Sequence, residues 1–299
     1  MRNSITELAS ETQQEIEIMV KDVKGSVASN GAPYQRLSVQ DKEGNMATFL
    51  RFDEPVDVNG PAVCRMLVEA STYNNKPSYK VLRSEVLPDA DFTCFYPKAE
   101  IDERSGFAEI NAYYKRIRHP GYRKLVGNVL TKDAVKFRTK PLTAAGAFSR
   151  QCGIMEATLA LLRMADHAVA IFGLNADLMY AAGLLYYVGN IDLVSDGYAP
   201  TEDDLLAGEG NAAVRRLLEV EMALRADGMT EEMLPKRDVN VLLHMLTSRY
   251  GGVKSAVPES VALRDLGHML KRTEEAKQLV KGAVPGTVVC SQGSQFLRL

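Results

Sequence analysis

Hydrophobic periodicity changes once along this chain, near residue 90, and that change limits the folds open to it. From residue 15 onward the dominant period is two. Residues 16–24 read as a strand, residues 34–40 alternate again, and residues 46–52, 62–73 and 78–87 supply three more. Ser29-Asn30-Gly31, Asp41-Lys42-Glu43-Gly44 and Asn74-Asn75-Lys76-Pro77 have the composition of the turns between them. Ahead of the first strand, Ser4 and Glu7 have capping-box spacing, which predicts a short helix to about Gln14. Residues 88–97 read as a linker. Beyond them the pattern becomes helical: 101–117 and 121–137, broken at His119-Pro120-Gly121, then 152–172, 176–188, 209–226, 239–249 and 258–280. Residues 282–299 hold Gly, Pro and Ser breakers and no helical pattern, and no internal repeat is visible.

Five short strands in about 75 residues suit a small closed barrel such as the OB-fold. The expected fold class is therefore α+β with two domains, a five-stranded OB-type β-barrel followed by an all-α helical domain. The boundaries read as an N-terminal helix at 1–15, the barrel at 16–88, a linker and basic helical connector at 89–150, the helical domain at 151–281 and a tail at 282–299. No apolar run approaches the ~20 residues that span a bilayer, so no membrane partner is expected. Residues 1–7 contain no apolar signal-peptide core. The cysteines Cys64, Cys94, Cys152 and Cys290 lie far apart with no CxxC pair, so free thiols in a cytoplasmic setting are expected.

Net charge is −2, but it is unevenly spread: residues 1–90 carry 10 Lys/Arg against 13 Asp/Glu, and residues 98–150 carry 12 against 5. The basic belt is either a polyanion contact or a lysine-rich solvated helix pair. An OB barrel holds single strands by stacking bases on aromatic rings and following phosphates with cations. Candidate stackers are Tyr34, Phe49, Phe52, Tyr73 and Tyr79, each of which could instead fill the barrel core. Candidate cations on the barrel are Lys24, Arg36, Arg51, Arg65, Lys76 and Lys80, continued on the belt by Arg116, Arg118, Arg123 and Lys124. Strand parity places Phe49 with Arg51 and Leu50 with Phe52, and Phe49 with Arg51 is read as a surface pair. A strand crossing the barrel and continuing along the belt is the expected ligand path.

Two segments, in order, carry a resemblance. Val27-Ala28-Ser29-Asn30-Gly31-Ala32-Pro33-Tyr34 with Leu37-Ser38-Val39-Gln40-Asp41-Lys42-Glu43-Gly44 resembles the opening of the OB-fold of YhaM-type 3′→5′ exoribonucleases. Gly153-Ile154-Met155-Glu156-Ala157-Thr158-Leu159, Leu174-Asn175-Ala176-Asp177-Leu178 and Gly183-Leu184-Leu185-Tyr186-Tyr187-Val188-Gly189-Asn190 resemble the HD domain that follows it in that family. The resemblance spans about residues 16–280 and implies a metal-dependent hydrolase scaffold that tends to self-associate and acts on RNA.

The chain departs from the family at the metal ligands. The family's upstream His pair falls on Ala147 and Phe148, the His of its Gly-Leu-Leu-Glu-His-Thr motif on Ala157, and its His-Asp doublet on Tyr186 and Tyr187. A further His falls near Gly208. His244 alone keeps an imidazole, on an apolar helix where it reads as a hydrogen-bonded core residue, and the pair after it is Arg249-Tyr250. A phenol must lose a proton of pKa ~10 to bind a hard cation as an anion, so no metal and no cofactor are expected. Asp192 and Asp196 make the best remaining carboxylate pair, for a repurposed site or a solvated turn. No Walker loop, nucleophile elbow or dinucleotide fingerprint occurs. The expectation is a non-catalytic protein, a pseudo-enzyme, whose partner is single-stranded DNA or RNA and which forms homo-oligomers by resemblance. The alternatives are an active or relocated-site metal-dependent 3′→5′ exonuclease or phosphohydrolase, and a regulatory module that binds a nucleotide or protein in a blank HD pocket.

Overall fold

The computed structural model describes residues 4–8, 10–28, 31–58, 61–73, 76–195, 198–250, 253–281, 283–291 and 294–299. The turn residues Ser29, Asn30, Asn74 and Asn75, the carboxylate Asp196, and the side chains of Lys76 and Tyr250 lie outside the described residues. The chain divides into two compact units: residues 1–98 with 196–199, and residues 99–195 with 200–299.

The first unit is a closed five-stranded barrel in the order β1-β2-β3-β5-β4, built from Thr12–Val27 (β1), Pro33–Gln40 (β2), Met46–Arg51 (β3), Ala62–Tyr73 (β4) and Lys76–Val86 (β5). β1 serves two neighbours. Its first half pairs antiparallel with β4 from Thr12↔Ala70 to Val20↔Ala62, and its second half with β2 from Met19↔Gln40 to Val27↔Pro33. An irregularity between Val20 and Asp22 separates the halves, where an extra residue increases twist and lets one strand curl round the barrel. Alternation sends Ile16, Ile18 and Val20 inward with Leu37, Val39, Phe49, Met66, Val68 and Val81, all at 1% exposure or less.

Two expectations for this unit are corrected. The N-terminal segment forms only a 3-10 turn, Ile5–Glu7, and the strand begins at Thr12. Pairing from Thr12↔Ala70 to Glu15↔Leu67 with β4 draws residues 12–15 into the barrel wall in place of a last helical turn. Residues 88–97 are not a bare linker: a 3-10 turn at Phe92–Phe95 buries Phe95, whose carbonyl accepts from Gln40 Nε2 at 2.7 Å. Tyr96 beside it is buried against the Tyr198 ring at 3.9 Å, and burial pushes its phenol up to about 12.

Closure depends on a short seam. β3 and β5 run parallel and share only Phe49↔Tyr79 and Leu50↔Lys80. The next inward residue, Arg51, is 5% exposed and donates from Nη1 to the carbonyls of Val81 (3.0 Å) and Leu82, and from Nε to Glu54 at 2.7 Å. Its guanidinium extends the seam beyond the backbone ladder. The β2–β3 turn is held in another way. Asp41, fully buried, accepts from the N–H groups of Ile5 (2.7 Å), Glu43 (3.0 Å) and Asn45 (2.8 Å), from Asn45 Nδ2 and from the Ser4 hydroxyl. Burial alone would raise its pKa; the donors from Asn45, Ile5 and Ser4 outweigh that and hold it below 3.8.

The second unit is helical. Glu103–Arg116 (α1), Pro120–Lys132 (α2), Ala134–Thr139 (α3), Gly153–Phe172 (α4), Ala176–Leu185 (α5), Asn190–Leu193 (α6), Glu202–Leu206 (α7), Gly208–Ala226 (α8), Lys236–Thr247 (α9) and Pro258–Lys281 (α10) are followed by a hairpin, Val288–Ser291 (β6) with Ser294–Leu297 (β7). Starts follow their caps: Asp102 accepts from Ser105 N, His119 Nδ1 from Tyr122 N with Pro120 at the first helical position, and Asn175 from Leu178 N. α4 stops at Gly173 in the left-handed conformation, φ 65°. α5 is buried from Leu178 to Leu185, so it is the central helix. The helix expected over 121–137 is two, split at Asp133, whose carboxylate is drawn to Arg216 at 2.7 Å. The tail, read without a helical pattern, holds the hairpin.

Two outcomes follow for the barrel. Arg51→Met should lower stability by about 2–4 kcal/mol, since three carbonyls lose their donor, measured by urea unfolding. Asp41 has a depressed pKa, so its contribution is present above the unfolded value and disappears as pH falls through the folded one. Asp41→Asn should therefore be less stable than the parent near neutrality, with the difference closing below about pH 4 in melts across pH.

Candidate nucleic-acid interface

Pairing register puts one row of side chains across the outside of the barrel. Lys24 on β1 lies opposite Arg36 on β2, Arg36 opposite Leu50 on β3, and Leu50 beside Lys80 on β5. Paired residues point to the same face, and the next row, Val23, Leu37, Phe49 and Tyr79, points inward. Lys24, Arg36 and Lys80 are exposed, and Leu50 is half-buried between them as an apolar floor.

Beside the middle of this row, two residues from Arg36 and from Leu50, Tyr34 and Phe52 stack, with ring centroids 5.2 Å apart and planes 20° apart. Phe52 is 42% exposed, with the Lys80 ammonium 5.9 Å from its ring centre. A large apolar ring left in water beside a cation is what base stacking with phosphate contact requires. Lys24 is partly neutralised by Asp22 at 3.3 Å, whereas Arg36 and Lys80 have no ion pair among the described residues.

The structure sorts the sequence candidates. Lys24, Tyr34, Arg36 and Lys80 share the outer face, and Tyr73, 71% exposed, stands at the end of β4. Phe49 and Arg51 are corrected: they share a face as parity required, but it is the inner one, with Phe49 at 0% exposure. The barrel needs a large ring at its centre and a donor at its seam. Tyr79 packs on Phe49 at 5.1 Å, and Arg65 is bound to Glu85 at 3.2 Å. On the belt, Arg116 is held by Asp166 (2.6 Å) and the Tyr180 hydroxyl, and Arg123 donates to the carbonyl of Ile117 at 2.7 Å. Lys140 is buried and donates to the carbonyls of Ile191 and Val194. Arg118 and Lys124 are exposed and show no ion pair among the described residues.

In the helical unit, the positions that the resemblance assigns to metal ligands are filled by packing. Ala147 and Phe148 are buried at 1% and 3%, Ala157 at 0%, Tyr186 at 2% and Tyr187 at 0%. Gly208, with φ +71°, opens α8 and offers no side chain. His244 Nε2 accepts from the N–H of Ala256 at 2.8 Å, and His244 borders an open cleft of about 400 Å³ with Lys236, Arg237 and Val257. No group of three or more His, Cys, Asp or Glu that could hold a metal ion occurs among the described residues. A divalent cation of the kind the resemblance implies does not fit the residues at these positions. Of the remaining carboxylates, those among the described residues are engaged: Glu156 by Arg150 at 2.7 and 2.8 Å, and Asp192 by Arg216 at 2.5 Å. No helix among the described residues is long and apolar enough to cross a membrane.

An OB-type barrel followed by an all-helical unit is the class of protein that the fold defines. No protein-family profile matches the chain. The chain is similar along nearly its whole length to the 3′-5′ exoribonuclease YhaM of Geobacillus sp. (strain WCH70), 22% identical over 283 residues, 91% of this chain and 85% of that protein. The resemblance drawn from the motifs is to a true relative. Among solved structures, the second OB-fold domain of replication protein A from Methanococcus maripaludis covers 30% of this chain and 99% of its own at 15% identity, with a TM-score of 0.25. The mitochondrial single-stranded DNA binding protein Rim1 from S. cerevisiae covers 27% and 100% at 16% identity, with a TM-score of 0.24. The expectation that this chain is not an enzyme is corrected: the relative matching 91% of it is named as an exoribonuclease, and a changed ligand set at one place does not show that activity is lost.

Proposed function

We propose that this chain binds single-stranded nucleic acid across the outer face of its barrel. The strand's phosphates would follow Lys24, Arg36 and Lys80, and a base would stack on the Tyr34–Phe52 pair. The observation that carries this reading is the register-aligned row that sets Arg36 and Lys80 beside the exposed Phe52 ring. The barrel segment as a whole is mildly acidic, so affinity rests on this local placement and not on bulk charge. RNA is the favoured strand, because the relative's name specifies an exoribonuclease. Arg118 and Lys124 are proposed as further phosphate contacts.

A second reading is favoured by the match along 91% of the chain: shortening of RNA from its 3′ end. The chemistry of that step is not drawn from the HD-like positions, whose residues do not form a metal cage.

Fluorescence anisotropy with labelled oligonucleotides tests the first reading. Phe52→Ala should weaken single-strand binding roughly tenfold or more, and Arg36→Ala and Lys80→Ala should each flatten the slope of log affinity against log salt by about 0.7. Binding that ignores salt, or that is untouched by all three changes, would remove the barrel face from consideration. For the second reading, RNA labelled at its 5′ end and incubated with Mn²⁺ or Mg²⁺ should yield a ladder that shortens from the 3′ end. Intact RNA with either ion rules that reading out.

A further inference from the structure

The doublet positions are not merely blank: Tyr186 and Tyr187 pack against a buried positive charge. Arg249 follows α9 in the 3-10 turn Ser248–Tyr250 and is 0% exposed. Its Cζ lies 3.9 Å from the centre of the Tyr186 ring and 5.5 Å from that of Tyr187. The two rings meet edge to face, 4.9 Å apart at 89°. Arg249 Nη2 bonds Glu209 Oε2 at 2.9 Å, and Nη1 donates to the carbonyl of Tyr186. The other oxygen of Glu209 accepts from Lys271 Nζ at 2.7 Å and from Asn190 Nδ2 at 3.0 Å, and Asn190 also donates to the carbonyl of Leu142 at 2.9 Å.

Two close approaches make this cluster possible. A Cβ at position 189 would lie 2.8 Å from the carbonyl oxygen of Glu209, so Gly189 lets α8 come in and deliver that carboxylate beside Asn190. A Cβ at position 267 would lie 2.6 Å from the Tyr186 hydroxyl, so Gly267 of α10 makes room for the phenol that stands at the doublet's first position. The same helix supplies Lys271. The space is closed by side chains from four parts of the unit.

We infer that the charge held at this place in the unit belongs to the chain itself: the Arg249 guanidinium, anchored by Glu209 and packed on the Tyr186 ring with Tyr187 beside it, stands in for a bound cation, and the pocket takes no divalent metal. A guanidinium is planar, permanently charged and weakly hydrated, which suits a buried position over aromatic faces. Lys271 and Arg249 already share Glu209, so a further cation would meet repulsion as well as a missing ligand set. Removing one partner of such a buried pair leaves the other charge uncompensated, which is far costlier than never having built the pair. The inference stands whichever reading of strand handling is correct.

The full-length protein tests it by metal analysis and thermal melting. Wild-type protein and Glu209→Gln should carry the same amount of divalent metal, and chelation should shift their melting temperatures by the same amount. Arg249→Ala should melt roughly 10 °C lower, and low-millimolar methylguanidinium should recover part of that loss in the variant while leaving the wild type unchanged. Stoichiometric metal in the wild type that Glu209→Gln releases, or an Arg249→Ala protein as stable as its parent, would each overturn the inference. If Arg249→Ala does not accumulate as folded protein, Glu209→Gln gives the second measurement. It should also destabilise without changing metal content, and loss of bound metal from it would overturn the inference as well.

Discussion

The barrel depends on a seam with almost no backbone ladder. Two paired positions join β3 to β5, and the guanidinium of Arg51 supplies the hydrogen bonds that a third and fourth would have made. Everything on the outer face follows from that closure. Once Phe49 and Arg51 point inward, the period of two leaves Leu50 and Phe52 outside, and the parallel register then brings Lys80 next to Leu50. The binding row is therefore the complement of the core. A shift of one residue at the seam would bury Lys80 and expose Tyr79.

Buried and half-buried cations recur in the helical unit. Arg150 joins Glu156 to Glu274, Arg216 joins Asp133 to Asp192, and Lys140 ties the carbonyls that end α6. Some cations of the basic belt are thus tied to other helices, Lys140 by burial and Arg150 by its two carboxylates, while Arg118 and Lys124 remain exposed. Composition could not separate those uses, because a lysine that binds a carbonyl and one that faces water are the same letter.

The architecture was largely legible because it rests on short-range signals. Alternation marked all five barrel strands, and caps with Gly or Pro breakers marked the long helices. The N-terminal capping box misled: Ser4 does cap, but a strand partner on β4 captures the residues from Thr12. The interface was half legible. Parity correctly grouped Phe49 with Arg51 and Leu50 with Phe52, yet nothing local says which face of a strand is inside, since that is decided by closure with partners thirty or more residues away. An arginine beside a phenylalanine reads as an exposed pair until its acceptors, the carbonyls of Val81 and Leu82, are known. Arg249 escaped for a similar reason. Its setting, Thr247-Ser248-Arg249-Tyr250, looks like a polar helix end, and only the fold brings Glu209 and the two tyrosines to it.

The Arg249 cluster also bears on how this unit comes into being. Proteins that recruit an ion late in folding pass through an unloaded form, sensitive to supply and to scavengers. A charge carried on the polypeptide arrives with the ribosome's product and cannot be exchanged, starved or displaced afterwards. Maturation of the helical unit then needs no inorganic ingredient at this place, and its shape is independent of which ions happen to be abundant around it.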